Sequence, residues 1–151
     1  MSEEKEYLKE WITQFLKNRN MVFKTIESIS KHDSYDLFVK HKTKEQYIIV
    51  QPILEDPKRI SGDKHILVVC FNTEENFQFL LDNWKQLAAC PNLTMYYVNP
   101  LSEPDKKWII SPYVHQAICD NTSLRTGLRS MFETVNPLSN EKIKSLIKKK
   151  E

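Results

Sequence analysis

The feature that most constrains the fold of this chain is a continuous apolar run, ILVVCF, at residues 66–71. Its length suits a strand, and its lack of alternation predicts a central strand that is covered on both faces. Thr73 follows as a candidate helix cap, and a stripe of apolar residues at helical spacing then leads to a second strand, Leu93–Val98. Two strands joined by a helix through short links predict a parallel, right-handed crossover. A parallel sheet of this kind must carry helices on its faces.

The residues before this unit predict one helix and a three-stranded meander. Apolar side chains that recur every three or four residues predict an amphipathic first helix, which Asn18-Arg19-Asn20 should end: Leu8, Trp11, Ile12, Phe15 and Leu16. Residues rich in β-formers then predict strands over Val22–Ile29, Tyr35–Lys40 and Gln46–Gln51. Pro52 cannot donate a ladder hydrogen bond, so the third strand should end there or become an edge strand beyond it.

The remaining segments predict a loop and further helices. Residues 54–64 contain Pro57 and Gly62 and show no apolar period, which is typical of a loop. Ser111-Pro112 is a favourable helix start, and Pro137 should end a later helix that begins near Leu124. We therefore predict one domain over residues 1–151, with a core of about residues 5–100 and a C-terminal helical extension of about 101–151.

Composition narrows the classes of protein to which the chain can belong. Of its 151 residues, 40% are hydrophobic, which is enough for one sizeable core. No apolar run approaches the ~20 residues that cross a bilayer, and the first residues lack a secretory signal, so we expect a cytoplasmic protein without a membrane partner. The net charge of +2 is too small to indicate nucleic-acid binding by itself. A basic C-terminal run that includes Lys148 and Lys149 is either a solvated helix or a phosphate-binding tail.

The order of helix, three meandering strands, loop, and strand–helix–strand resembles the PD-(D/E)XK nuclease superfamily, and most closely its resolvase-like branch. The resemblance implies a restriction-endonuclease-like α/β domain of three layers, with a mixed sheet and helices on both faces. Family members present an acidic residue at the second strand and an acidic-x-Lys triplet at the end of the third. Asp36 matches the first position, Gln51 stands where the family usually has Glu, and Ile53 stands where it has Lys.

The departures from the family pattern concern the chemistry directly. The resemblance assigns Asp36 and Gln51 as catalytic residues and as ligands of Mg²⁺, a hard cation that prefers oxygen ligands. The family lysine positions the attacking water and stabilises charge in the transition state, and Ile53 can do neither. A lysine from elsewhere would have to replace it, and Lys58 and Lys40 are the candidates.

Three hypotheses about function follow. The leading one is a nuclease-like domain with an incomplete motif, which acts as a nucleic-acid-associated or assembly module and has little or no cleavage activity. An active Mg²⁺-dependent DNA endonuclease with a relocated lysine is the first alternative, and a protein-interaction domain without a nucleic-acid role is the second. The partners implied are DNA and a second copy of the chain in a homodimer. The candidate nucleic-acid contacts are Lys40, Lys58, Arg59, Lys148 and Lys149.

Overall fold

The computed structural model of the protein describes residues 2–57, 60, 62–120 and 122–150. Its elements follow the chain in this order: α1 (Glu3–Phe23), β1 (Ile26–Ser30), β2 (Leu37–His41), β3 (Glu45–Val50), β4 (His65–Phe71), α2 (Glu74–Asp82), α3 (Trp84–Leu87), β5 (Leu93–Val98), β6 (Lys107–Ile110), α4 (Pro112–Ile118), α5 (Leu124–Phe132) and α6 (Asn140–Lys150). Within the described ranges, no helix combines the length and the apolar character needed to cross a bilayer.

The six strands form one mixed sheet in the order β1-β2-β3-β4-β5-β6. The first three are antiparallel neighbours, as the predicted meander requires. β4 is parallel to both β3 and β5, and β6 pairs antiparallel with β5 at one edge. The predicted parallel crossover between β4 and β5 and the mixed sheet are therefore confirmed.

Two apolar clusters pack against the two faces of the sheet. On one face α1 and α6 cover the strands through Leu8, Ile12, Leu16, Ile143, Leu146 and Ile147. On the other face α2, α3 and α5 contribute Phe77, Leu80, Trp84, Leu87, Leu128 and Phe132. Alternate residues of the central strands enter the two clusters, because successive side chains of a strand point to opposite faces. Helices thus lie on both faces, and the chain forms three layers.

The prediction for the end of the first helix was wrong. α1 continues past Asn20 to Phe23, and Lys24 closes it in the left-handed conformation with φ 52°, its amide donating to the Asn20 carbonyl. Val22 therefore belongs to the helix and not to a strand, and β1 begins at Ile26. The β preference of Val22 and Phe23 is weak, whereas adding a residue to an existing helix gains one hydrogen bond. Asn20 also fixes the start of β1, since its Oδ1 accepts from the Ile26 amide at 2.9 Å.

Helix starts were predicted with more success. Thr73 caps α2, as predicted, by accepting from the Asn76 amide at 3.1 Å. Ahead of α6, Ser139 makes the same kind of contact, accepting from the Lys142 amide at 3.2 Å. Pro112 lies in the first turn of α4, but the Ser111 side chain makes no capping hydrogen bond there. The apolar stripe after Thr73 forms two helices instead of one, because the chain breaks at Asn83.

Buried asparagines join the C-terminal region to the sheet. Asn72 directly follows β4 and is fully buried; its Oδ1 accepts from Trp108 Nε1 at 2.7 Å and its Nδ2 donates to the Val135 carbonyl at 2.9 Å. Asn99 directly follows β5 and donates to the Asn136 carbonyl at 2.7 Å. The segment between α5 and α6 is therefore held at the carboxyl ends of the parallel strands.

Candidate functional site at the ends of β3 and β4

Asp36 and Gln51 lie at the same end of the sheet. Asp36 directly precedes β2 and Gln51 directly follows β3, and these two strands are antiparallel neighbours. The Asp36 amide donates to the Ile48 carbonyl at 3.0 Å, and the Gln51 amide donates to the Val69 carbonyl of β4 at 3.0 Å. The structure therefore brings these two predicted site residues to adjoining strand ends.

Both oxygens of the Asp36 carboxylate have partners within the protein. Oδ2 accepts from the Val50 amide at 2.7 Å, and Oδ1 lies 2.7 Å from the ammonium nitrogen of Lys5. The Asp36 side chain is only 12% exposed and that of Lys5 27%. A charge-assisted hydrogen bond between partly buried groups is stronger than one between neutral groups. The carboxylate therefore fastens α1 to the start of β2 and the end of β3.

Sequence reasoning did not single out Lys5. Its position supplies a signal in retrospect, since Lys5 precedes the buried stripe Leu8, Ile12 and Leu16 by one helical turn on the same side of α1. A lysine at the end of a buried stripe can lay its alkyl chain along the apolar surface of the sheet. Its ammonium group then lies in the more polar region at the strand ends. The carboxylate that receives this group cannot be identified from the spacing of the helix alone.

Gln51 has an unsatisfied acceptor. Its Oε1 is buried and makes no hydrogen bond. The side chain lines a cleft of about 640 Å³ at the carboxyl ends of β3 and β4, together with Lys5, Thr73, Asn140 and Lys144. A buried amide oxygen without a partner costs free energy. Gln51 is therefore the side chain of this cleft that would gain most from a ligand that donates a hydrogen bond.

The amino-terminal ends of three helices border the cleft. Ser2 caps α1, Thr73 caps α2 and Asn140 begins α6, and all three residues line the cavity. Helix amino termini carry partial positive charge, which Glu4 and Glu75 partly offset from the first turns of α1 and α2. The lining carries three carboxylates, Glu4, Glu55 and Glu75, and two ammonium groups, Lys5 and Lys144, so ligand geometry and not net charge decides whether a cation fits.

The described residues do not fit the magnesium ion that the family resemblance implies. Mg²⁺ needs hard oxygen ligands in octahedral geometry at about 2.1 Å. The Asp36 carboxylate already holds the Lys5 ammonium, and Gln51 offers one neutral oxygen. In the part of the chain that the structure describes, no three metal-ligating side chains of His, Cys, Asp or Glu come together. An ion at this place would have to displace Lys5.

The other predicted residues lie elsewhere. Ile53 is 61% exposed and provides no cation at the lysine position. Lys40 lies at the far end of β2 from Asp36, roughly 13 Å along the strand, and its ammonium is 3.8 Å from the Glu27 carboxylate. Lys58 and Arg59 lie outside the described residues. Lys148 and Lys149 are exposed on α6, and Lys149 borders a groove beside α1.

Comparisons with known proteins add no relative. No family model, no curated protein and no solved structure matches the chain.

Proposed function

We propose that this chain is a restriction-endonuclease-like domain that does not cleave nucleic acid and that works as a nucleic-acid-associated module. The observation that carries the proposal is the ion pair between Lys5 and Asp36, whose nitrogen and oxygen are 2.7 Å apart. The residue best placed to hold a catalytic metal is used instead to fasten a helix to the sheet.

The chemistry of the strand ends supports the absence of cleavage. Gln51 would attract a cation less than a carboxylate does, and Ile53 cannot stabilise charge on phosphorus. Losing a charge that acts only in the transition state costs about 3 kcal/mol, or two orders of magnitude in rate. Together with the paired carboxylate, these residues weaken the predicted metal site and leave it without the family lysine.

The order of elements supports the kinship in shape. One helix, an antiparallel meander, a loop, and a parallel strand–helix–strand unit follow one another as the resemblance requires. The placement of Asp36 and Gln51 at adjoining strand ends agrees with that order. A domain that has this order of elements but lacks the cutting motif is better suited to binding nucleic acid than to cleaving it.

Cleavage assays test the proposal. The intact chain is incubated with branched, duplex and single-stranded DNA in Mg²⁺ and separately in Mn²⁺, beside an Asp36→Ala variant. We expect no turnover by either protein. We also expect nucleic-acid affinity that falls steeply with salt, because phosphate contacts release counterions. Turnover that the Asp36→Ala substitution abolishes would overturn the proposal.

An active nuclease is a second candidate, and the position of Lys5 favours it. Lys5 lies on α1, and its ammonium nitrogen is 2.7 Å from the Asp36 carboxylate. It therefore brings a positive charge to the predicted site from a different element than the family lysine. This candidate requires turnover that is lost in both Lys5→Met and Asp36→Ala and kept in Lys40→Met. The Lys40→Met variant is a suitable control, since Lys40 lies at the other end of β2.

A protein-interaction domain is a third candidate, and the surface of α4 favours it. Tyr113, Val114 and Ile118 are 49%, 51% and 76% exposed. Apolar side chains grouped on a surface often mark a protein interface. Binding to a protein through this surface should respond little to salt, in contrast to binding through phosphates.

A further inference from the structure

A row of aromatic residues and one arginine follows α1. The row comprises Tyr7, Trp11, Phe15, Arg19 and Phe23, which recur every four residues, so that each is a neighbour of the next on the helix surface. The rings of Trp11 and Phe15 stack with centroids 5.3 Å apart. The Arg19 guanidinium lies 5.8 Å from the Phe15 ring and 5.5 Å from the Phe23 ring. Contacts therefore link the row from Trp11 to Phe23, with the Arg19 guanidinium between the last two rings.

The carboxyl-terminal half of the row is the exposed part. Phe23 is 63% exposed, and its neighbours Met21 and Val22 are 77% and 74% exposed. Such a group of large apolar side chains in the last turn of a helix costs solubility unless it serves binding. By contrast, Tyr97 and Trp108 are buried in the core and their faces are covered.

A basic pocket of about 350 Å³ lies beside this half of the row. The charged residues among its described lining are Arg19 and Lys44, and no carboxylate is among them. Lys107 adds a further cation 4.8 Å from the Phe15 ring. The end of α1 carries a partial negative charge of roughly half a unit, which these side chains outweigh. The pocket therefore favours an anion.

A ligand that matches both features has an anionic group and a flat aromatic group. We propose that the end of α1 and the adjoining basic pocket bind single-stranded nucleic acid, with one base on Phe23 and the neighbouring phosphates on Arg19 and Lys44. Sequence-tolerant stacking on aromatic side chains beside cations is the usual way in which proteins hold single strands. This inference rests on the proposed nucleic-acid-associated function and assigns its site.

The geometry selects a single strand over a duplex. In a duplex, both faces of an internal base are covered by its neighbours in the stack. A base can therefore lie on Phe23 only where it is unstacked, as in a single strand. The pocket is also at the small end of the volume range of ligand sites, about 300–1,000 Å³, which suits one nucleotide and excludes a double helix.

Fluorescence anisotropy with a labelled 12-nucleotide oligothymidylate and a 12-base-pair duplex tests the inference. We expect the single strand to bind more tightly than the duplex. Phe23→Ala should weaken single-strand binding by about 5- to 150-fold, the range measured for loss of one stacked base. Arg19→Gln should also weaken it and should reduce the slope of log affinity against log salt by about 0.7.

Matched controls come from α4 and α5, neither of which contributes a residue to the described lining of the basic pocket. Tyr113→Ala removes an aromatic ring that is 49% exposed, and Arg125→Gln removes an exposed positive charge from α5. Both should leave affinity within about twofold of the unchanged protein, since surface residues outside an interface add little. Thermal unfolding of each variant checks that the fold is intact.

Each remaining outcome is decisive. Single-strand binding that survives Phe23→Ala and Arg19→Gln unchanged would overturn this site while leaving the proposed function in place. Preference for the duplex would overturn it likewise. Absence of any nucleic-acid binding would overturn both proposals. Binding only to vesicles of phosphatidylserine and phosphatidylcholine, weakened by Phe23→Ala, would assign the same surface to a membrane and also contradict both.

Discussion

The ammonium nitrogen of Lys5 lies 2.7 Å from the Asp36 carboxylate, whose second oxygen accepts from the Val50 amide. The pair connects the first turn of α1 to the start of β2. The end of β3, which Gln51 directly follows, lies beside it. A residue that the family resemblance assigns to a metal thus has a structural partner on a different element. This arrangement gives Asp36 a structural role that needs no metal.

The ion pair should contribute measurably to stability. We expect Asp36→Ala to lower the free energy of unfolding by about 3 kcal/mol, because it leaves the Val50 amide and the Lys5 ammonium without their partner. Lys5→Met should lower it by about 1 kcal/mol. Urea unfolding of both variants and of the double variant should give a coupling energy of about 1–2 kcal/mol. A coupling energy near zero would show that the pair adds no net stability and would contradict this prediction.

Gln51 should be replaceable without loss of stability. Because its Oε1 is buried without a hydrogen bond, Gln51→Met should leave the free energy of unfolding unchanged or raise it by about 1 kcal/mol. Gln46→Met is the matched control and should be destabilising, since Gln46 Oε1 lies 2.9 Å from His41 Nε2. Urea unfolding measures both. A clear loss of stability in Gln51→Met would show that the amide oxygen has a partner.

Asn72 should be among the most sensitive polar positions. It is fully buried, and its side chain holds Trp108 of β6 and the segment after α5. We expect Asn72→Leu to lower the free energy of unfolding by about 3 kcal/mol, because one buried N–H and a buried carbonyl lose their partners. Asn18→Leu on the exposed side of α1 should change it by less than about 0.5 kcal/mol. Equal effects of the two substitutions would contradict the network.

His115 should make stability depend on pH. Burial lowers the pKa of the His115 imidazole, whose ring lies 5.7 Å from that of Trp84. Its contribution to stability is complete above the unfolded pKa of about 6.5 and is lost as the pH falls through the folded value, because protonation favours the unfolded chain. Thermal unfolding from pH 8 to pH 5 should show a decline that is smaller in His115→Gln. An identical decline in both proteins would exclude His115 as its source.

The strands with strong local signals were predicted well. The apolar run at 66–71 appears within β4, and β5 has the predicted bounds Leu93–Val98, since uninterrupted apolar residues between turn signals leave few alternatives. The first strand was misplaced because helix propagation outweighed the β preference of Val22. The segment Trp108-Ile109-Ile110 is too short for its apolar character to predict a strand, and its pairing with β5 as β6 depends on tertiary contacts.

The candidate site was predictable only in part. Asp36 and Gln51 could be placed at strand ends from the order of elements, since antiparallel neighbours bring such ends together. The pairing of Asp36 with Lys5 could not, because it depends on how α1 crosses the sheet. The basic pocket likewise joins α1 to the turn between β2 and β3, and the sequence gives no spacing that connects Arg19 with Lys44.

The most direct test of the central claim is a titration with Mn²⁺ followed by electron paramagnetic resonance. Manganese is a suitable probe because it accepts the oxygen ligands that suit Mg²⁺. If Asp36 is committed to Lys5, the unchanged protein should bind no stoichiometric Mn²⁺ at submillimolar concentrations, and Asp36→Asn should behave alike. Stoichiometric binding by the unchanged protein that disappears in Asp36→Asn would contradict the account.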